Sequence, residues 1–299
     1  RSAAFAKYFP ALVVVVFALY VAGKSRMPRS EPSEMQIYEF AKLPLAYQGR
    51  IKPYDTVARN ALQIFSGRQE VIVEQETLKA KLPAIRWLLD AISGAAAADD
   101  HRVFRIENLE LLDTLGLKPR EGSFRYSLND FRDKLDELQK QIELADAQPE
   151  SKRSLYQNEV LRLAKKLNSY AMLIQSFRSP ELPTDRDKLA ENIPQVQLAI
   201  ERLHAVEAPH SVPPREASGR WTPLMEAEFE ALRDGATNQP VNPATVALST
   251  MLDAYVRNDA TTFNKQLADY RHILADYEKS LAANADQLNQ AGVKKAESN

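Results

Sequence analysis

Hydrophobic positions in most of the chain recur every three or four residues, which is the spacing of one face of an α-helix. The pattern is clearest in the middle, where residues 128–142 and 156–177 follow it on either side of a proline-bearing turn at 146–151. Two helices joined by a short turn pack side by side in opposite directions. The pattern therefore predicts a long antiparallel helical hairpin, followed by one further helix.

The same spacing predicts helices on both sides of this hairpin. They cover residues 34–43, 53–66, 77–93, 222–233, 246–256 and 263–288. Pro53 is expected at a first helical position, Pro83 is expected to kink its helix, and Gly67 and Gly94 are natural stops. Two short β-prone stretches, residues 70–73 and 102–106, are expected to pair as a minor element. The predicted fold class is all-α, a helical bundle with a long antiparallel helical hairpin.

An uncharged apolar run breaks the helical spacing at the start of the chain. It covers residues 8–23 between Lys7 and Lys24. If the Lys7 ammonium extends toward the headgroups, the apolar stretch is long enough for a hydrocarbon core of about 30 Å. A cleavable signal peptide is disfavoured, because no small-residue cleavage site follows. We expect one N-terminal transmembrane helix, which the balanced flanking charges do not orient.

These patterns divide the chain into five parts. The chain begins at Arg1 without Met, so we expect it to be a piece of a longer protein. The predicted parts are residues 1–25 as the transmembrane helix, 26–33 as a linker, 34–126 as an N-terminal helical part, 127–207 as the hairpin and following helix, and 208–299 as a C-terminal helical part.

Composition and motifs exclude several function classes. The 39 Lys and Arg and 40 Asp and Glu residues are interspersed and leave a net charge of −1, so a nucleic-acid partner is not expected. The chain has no Cys, which removes disulfides, thiolate metal sites and a Cys nucleophile. The common catalytic motifs are missing, so we expect no catalytic centre in this segment.

Four histidines are the remaining candidates for metal chemistry. His204 and His210 flank the end of a predicted helix and a proline-rich loop, so they could approach each other as weak haem-ligand candidates. The favoured interpretation is two solvent-exposed loop histidines, and no metal site is predicted. His101 and His272 carry no motif.

Two segments are more specific. Residues 49–56 read GRIKPYDT, and their basic side chains, with Arg59, place positive charge near a helix start that would normally prefer acids. This favours a docking site, whereas a plain helix start, with Asp55 paired to a nearby base, explains the same residues slightly better. The second segment, RWTPL, follows the proline-rich loop. The docking candidates are Arg50, Lys52, Pro53, Asp55, Thr56, Arg59 and Trp221.

These segments also carry a family resemblance. LPLAYQGRIKPYDTVARNAL, residues 43–62, resembles the signature of CcsA/ResC-type (system II) cytochrome c biogenesis proteins, notably fused forms with a large extracytoplasmic insertion. RWTPL and residues 247–270 are similar to the rest of that insertion. The tryptophan-rich loop and flanking histidines that handle haem in the family are missing here, so no haem ligand is carried over.

The resemblance implies a protein that moves haem across the membrane and presents it for attachment to apocytochrome c. It implies haem, apocytochrome c and a ResB-type partner or fused region as partners. It also implies a bacterial inner membrane location, with most of this segment on the periplasmic side and further membrane helices beyond Asn299.

Three functions are compatible with these observations. The first is an extracytoplasmic scaffold or docking segment of a cytochrome c assembly protein, in which the basic motif faces a partner or the membrane core. The second is a haem-binding module, in which the basic residues converge with a histidine around an apolar cleft. The third is a membrane-anchored helical sensor, to which the GRIKPYDT motif does not belong.

Overall fold

The chain folds as a mainly helical bundle, which confirms the predicted fold class. A computed structural model describes residues 2–25, 30–74, 79–120, 122–178 and 186–297. The helices are α1 (Ser2–Ser25), α2 (Ile37–Phe40), α3 (Tyr54–Ser66), α4 (Ala84–Ser93), α5 (Leu109–Thr114), α6 (Leu128–Phe131), α7 (Leu135–Asp146), α8 (Leu155–Gln175), α9 (Arg186–Ala205), α10 (Leu224–Ala236), α11 (Pro243–Val256) and α12 (Ala260–Glu297).

Short strands form three antiparallel pairs within the described residues. They are β1 (Pro44–Tyr47) with β2 (Arg50–Pro53), β3 (Glu70–Glu74) with β4 (Lys79–Pro83), and β5 (Phe104–Arg105) with β6 (Arg125–Tyr126). The predicted pairing of residues 70–73 with 102–106 is therefore wrong. The stretch at 70–73 pairs instead with the segment that follows it directly in sequence, because closing a short loop costs less conformational entropy.

Three helices begin directly after a proline. Pro53, Pro83 and Pro223 each lie immediately before a helix, with φ near −60° and an extended ψ. Proline inside a helix would remove a backbone hydrogen bond and clash with the preceding turn. The predicted helix over 77–93 is therefore wrong in its first half. Residues 79–83 are strand β4, and Pro83 precedes α4 instead of kinking it.

The predicted helix stops are confirmed. Gly67 and Gly94 end α3 and α4 with φ of 70° and 75°, in the left-handed region that glycine adopts without strain. At Gly94 a Cβ atom would also lie 2.8 Å from the Arg178 guanidinium carbon. The backbone conformation favours glycine there, and an added Cβ would displace the exposed, flexible Arg178 side chain.

Helix α1 covers the apolar run at the start of the chain. The side chains of residues 8–21 are exposed. Among the helices of the described residues, none has the combination of length and apolar character that a membrane crossing needs. The transmembrane helix therefore stays a prediction.

The hydrophobic core lies around α4, which packs against α2, α3, α8 and α11. Trp87 and Phe65 are almost fully buried, with ring centroids 6.2 Å apart in an edge-on arrangement. Burying one such side chain stabilises a fold by about 2–3 kcal/mol. Within the hairpin, α8 contributes Val160, Leu163, Tyr170 and Leu173 to the core, whereas α7 buries only Leu138 and Ala145.

A polar network lies within this core. The Asp90 carboxylate on α4 lies 2.7 Å from Nε2 of His101 and accepts a hydrogen bond of 2.6 Å from the Tyr255 hydroxyl on α11. All three side chains are largely buried, and burial together with the Asp90 carboxylate raises the pKa of Tyr255. The network therefore connects α4, the following loop and α11. His101 carries no sequence motif, and in the structure it is a member of this buried network.

Candidate docking site

The GRIKPYDT motif forms the tip of the β1–β2 hairpin and the start of α3. Gln48 and Gly49 connect the two strands with φ of 53° and 67°, the positive values that a tight two-residue hairpin turn requires. The turn at Gly49 was predicted from the sequence, whereas the two strands were not. The hairpin projects the middle of the motif away from the core.

The base of the hairpin is fixed in the core. Leu45 and Tyr54 have no exposed surface, and the Tyr54 ring lies 4.6 Å from Phe40 and 5.9 Å from Phe177 between ring centroids. Aromatic pairs at these distances add packing energy beyond the area they bury. Strand β2 therefore connects the exposed tip, at Arg50, to a base that is packed in the core.

The tip carries two cations that pair with no carboxylate of the described residues. Arg50 is exposed, and Ile51 beside it keeps 57% of its surface exposed. The Lys52 ammonium contacts the Gln48 side-chain oxygen at 3.2 Å and lies 5.0 Å from the centroid of the Tyr47 ring. Within the described part of the chain, no acidic side chain forms an ion pair with Arg50 or Lys52. We call Arg50, Ile51 and Lys52 the cationic tip.

The third basic residue of the motif is neutralised. Arg59 Nε lies 2.6 Å from Oδ2 of Asp55, one helical turn away, and the Asp55 side chain is only 12% exposed. This pairing of Asp55 with a nearby base was predicted. Pro53 precedes the helix, and Thr56 is exposed on its first turn. The motif is thus divided into a structural half on α3 and a cationic tip on the hairpin. Its docking role remains a prediction.

The proline-rich loop connects the hairpin to the second sequence segment, RWTPL. Ala46 in β1 and His210 exchange two backbone hydrogen bonds of 2.9 and 2.8 Å, and Val212 and Thr222 do the same at 3.0 Å. Trp221 is half-buried, with its ring centroid 6.2 Å from that of Tyr277 on α12. The proline-rich loop therefore bonds to the hairpin at His210 and to the second segment at Val212, although the α3–α9 region separates the hairpin from this loop in sequence.

His204 and His210 also lie at this junction. Their ring centroids are 5.2 Å apart, and His204 Nε2 is 2.8 Å from Oε2 of Glu226 on α10. Both histidines are half-buried, and His204 lies on α9, so their interpretation as solvent-exposed loop residues is wrong. Burial lowers the pKa of His210, and the neighbouring His204 lowers it further.

The residues around this pair do not fit a haem. Their neighbouring cleft, of about 460 Å³ between the proline-rich loop and α10, is lined by charged side chains, among them Arg215, Arg220, Glu226 and Glu230. A haem plane requires a mostly apolar lining. In the ranges that the structure describes, no three His, Cys, Asp or Glu side chains are arranged to hold a metal ion. We therefore derive no haem chemistry for this segment.

Comparison with known proteins finds a similarity over about half of the chain. No family model matches the chain. The chain is similar to Protein NrfI of Wolinella succinogenes, with 28% identity over 144 residues. The similar region comprises 47% of this chain and 15% of that protein, so the chain spans a small part of its relative. The similarity supports the predicted relation to cytochrome c biogenesis in its broad form, and leaves the CcsA/ResC type as a prediction.

Proposed function

We propose that this chain is an extracytoplasmic docking and scaffold segment of a membrane protein that assembles cytochrome c. The observation that carries the proposal is the cationic tip, Arg50, Ile51 and Lys52, presented by a hairpin whose base packs in the core. In this proposal the tip contacts a partner, and the helical bundle holds it in position.

The similarity to Protein NrfI supports the broad part of this proposal, a role in cytochrome c maturation. The CcsA/ResC-like GRIKPYDT motif and the apolar run at residues 8–23 support the finer parts, the periplasmic side and the inner-membrane anchor. Apocytochrome c and a ResB-type partner or fused region are the proposed partners. Haem is proposed to be handled by other parts of the complete protein.

The physical properties of the tip suit docking. A surface that is already ordered before binding loses little conformational entropy when a partner arrives. Exposed cations without internal ion pairs attract acidic surfaces and raise the association rate. An exposed Ile between them adds apolar contact area. Arg59 does not share these properties, because Asp55 already neutralises it.

The test is a double charge reversal in the complete protein, expressed in a bacterium that depends on it for cytochrome c. We expect Arg50→Glu with Lys52→Glu to lower covalently attached haem in cytochrome c at least about tenfold, because repulsion replaces attraction at the tip. Haem staining of separated proteins measures the product, and immunoblotting measures the level of the variant.

The matched control reverses Arg257 and Lys265, an exposed Arg and Lys without ion pairs in the described ranges, on the turn after α11 and on α12. This control is expected to mature cytochrome c normally. Normal maturation in the Arg50 and Lys52 variant, at equal protein level, would contradict the proposal.

The two alternatives have less support. For a haem-binding module, the Glu226 carboxylate already occupies His204 Nε2, and the adjoining cleft is charged. For a helical sensor, the cationic tip has no evident role. Haem titration of the purified chain, followed by absorption spectroscopy of wild type and His210→Ala, separates the haem-binding alternative from docking.

A further inference from the structure

The backbone of the hairpin leaves one edge open. Ala46 uses its N–H and its C=O to bind His210, so both groups point away from β2. Ala46 lies opposite Ile51 in the strand register. In an antiparallel ladder such a pair is non-hydrogen-bonded, and both residues direct their backbone groups outward. The N–H and C=O of Ile51 therefore point away from β1, toward the outer edge of β2.

This outer edge is unoccupied by other described parts of the chain. Strand β2 pairs with β1 alone, and no other described backbone group bonds to Ile51. The Ile51 side chain is 57% exposed beside the open backbone groups. Open strand edges are sites where another chain can pair, and flanking charges select which chains do so. Pro53 and the start of α3 limit the available edge to a short stretch.

The inner edge shows how the hairpin holds an extended segment. His210 joins β1 through an antiparallel bridge at Ala46, and the described residues form no longer ladder there. The outer edge offers the same geometry at Ile51. A partner residue opposite Ile51 would exchange two backbone hydrogen bonds with it. Its two neighbours would lie on the face of Arg50 and Lys52, because side chains alternate along a strand.

We propose that the outer edge of β2 binds a short extended segment of a partner protein with an acidic–apolar–acidic sequence. The segment adds as an antiparallel strand, its apolar residue lies beside Ile51, and its two carboxylates lie opposite Arg50 and Lys52. This inference rests on the proposed docking function and specifies the chemistry of the partner. Charge complementarity selects the segment, and the backbone hydrogen bonds fix its register.

The probe is a fluorescent peptide, Gly-Glu-Val-Glu-Gly, added to the 299-residue chain in detergent. We expect its dissociation constant to be at least about tenfold lower than that of Gly-Lys-Val-Lys-Gly, because opposite charges meet. Methylating the backbone nitrogen of the central Val removes one hydrogen bond and is expected to weaken binding at least about fivefold. Fluorescence anisotropy measures all three.

Two variants test the edge on the protein side. Ile51→Pro removes the outward N–H and is compatible with an edge strand, so it is expected to lose the peptide while circular dichroism stays unchanged. Ile51→Ala keeps the N–H and is expected to retain most of the affinity. The Arg257 and Lys265 reversal is the control and is expected to bind as wild type.

Several outcomes would overturn the inference. Equal binding of the methylated and unmethylated peptides would mean that charge alone acts, without strand addition. Equal binding of acidic and basic peptides, or binding of neither, would remove the proposed chemistry. If Ile51→Pro does not fold, the methylated peptide on the wild-type chain decides the question.

The failure of this inference is distinguishable from failure of the proposed function. If charge reversal at Arg50 and Lys52 stops cytochrome c maturation while Ile51→Pro does not, the docking function stands and strand addition is wrong. If the peptides bind as expected while charge reversal leaves maturation unchanged, the edge is a real binding site and its role in cytochrome c assembly is wrong.

Discussion

Two regions of this protein use the same chemistry in different surroundings. In the core, the Asp90–His101 pair has a separation of 2.7 Å, and the Tyr255 hydroxyl donates to the second Asp90 oxygen. At the motif junction, the His204–Glu226 pair has a nearly equal separation of 2.8 Å. Both are histidine–carboxylate pairs, and the distance alone does not distinguish their roles.

The two pairs differ in how well the polar atoms around them are hydrogen-bonded. In the core network the Asp90 carboxylate has a partner on each oxygen. At the junction, His210 Nε2 is buried and has no hydrogen-bond partner among the described residues, and the buried Tyr54 hydroxyl has only the Ser211 side chain beside it. A fully paired network contributes rigidity, whereas unpaired buried polar atoms cost free energy. Trp87 Nε1 and Thr245 Oγ1 in the core also have no hydrogen-bond partner among the described residues, so the contrast concerns the two pairs alone. The core pair is fully hydrogen-bonded and stabilises the fold, whereas the junction pair lies beside an unpaired buried nitrogen.

The largest expected effect is on the core network. Asp90→Ala leaves His101 and the Tyr255 hydroxyl buried without a partner, so we expect the free energy of unfolding to fall by about 3–4 kcal/mol. Urea denaturation followed by circular dichroism measures the change. Asp113→Ala, at an exposed position on α5, is the matched control and is expected to change stability by less than about 0.5 kcal/mol. Equal effects from both variants would show that the network is not structural.

A matched pair of tyrosine variants compares the two regions directly. Tyr255→Phe removes the donor to Asp90 and is expected to lower the free energy of unfolding by about 1–2 kcal/mol. Tyr54→Phe removes a buried hydroxyl that has only the Ser211 side chain beside it among the described residues, so the free energy of unfolding is expected to fall by less than about 0.5 kcal/mol or to rise. The same denaturation experiment measures both. A larger loss for Tyr54→Phe would reveal that its hydroxyl is well bonded in solution.

The smallest expected effect is a pH dependence at the junction. His204, Glu226 and Arg220 are the charged groups that act on His210, whose pKa lies below its ordinary value of 6.5 mainly because of burial. The unfolded chain therefore binds a proton more tightly than the fold. Stability from this group is complete above about pH 6.5 and declines as the pH falls below it.

We expect His210→Gln to reduce the loss of melting temperature between pH 7.5 and pH 5 by about 1–3 °C relative to wild type. His272→Gln, at an exposed position on α12, is the control and should behave as wild type. Thermal melts at the two pH values measure the difference. An unchanged pH dependence in His210→Gln would show that this histidine does not contribute.

Much of the helical fold could be predicted from the sequence because helix spacing is a local signal. The hairpin of α7 and α8 follows the apolar period through residues 128–177, and Gly67 and Gly94 end helices where expected. The strands were less predictable, since β1, β2 and β4 are short and carry prolines at their ends. Their extended conformation depends on packing against neighbouring elements, which a single sequence does not reveal.

In the candidate site, too, local contacts could be predicted from the sequence and long-range contacts could not. The Asp55–Arg59 pair could be predicted, because residues four apart on a helix are neighbours. The bridge between Ala46 and His210, and the role of His101, could not. Each depends on which distant segments of the chain are brought together, and one sequence without relatives carries no direct signal for long-range contacts.

The Ala46–His210 bridge also has a consequence for the order of folding. The two residues belong to segments far apart along the chain, and closing so large a loop has an entropic cost that slows its formation. The α7–α8 hairpin depends on local contacts and can form early. The neighbour that completes the inner edge of the motif hairpin is thus expected to arrive late. A chain that ends before residue 210 would have the GRIKPYDT segment without that neighbour. The hairpin with both of its neighbours in place therefore forms only after most of the 299-residue chain has folded.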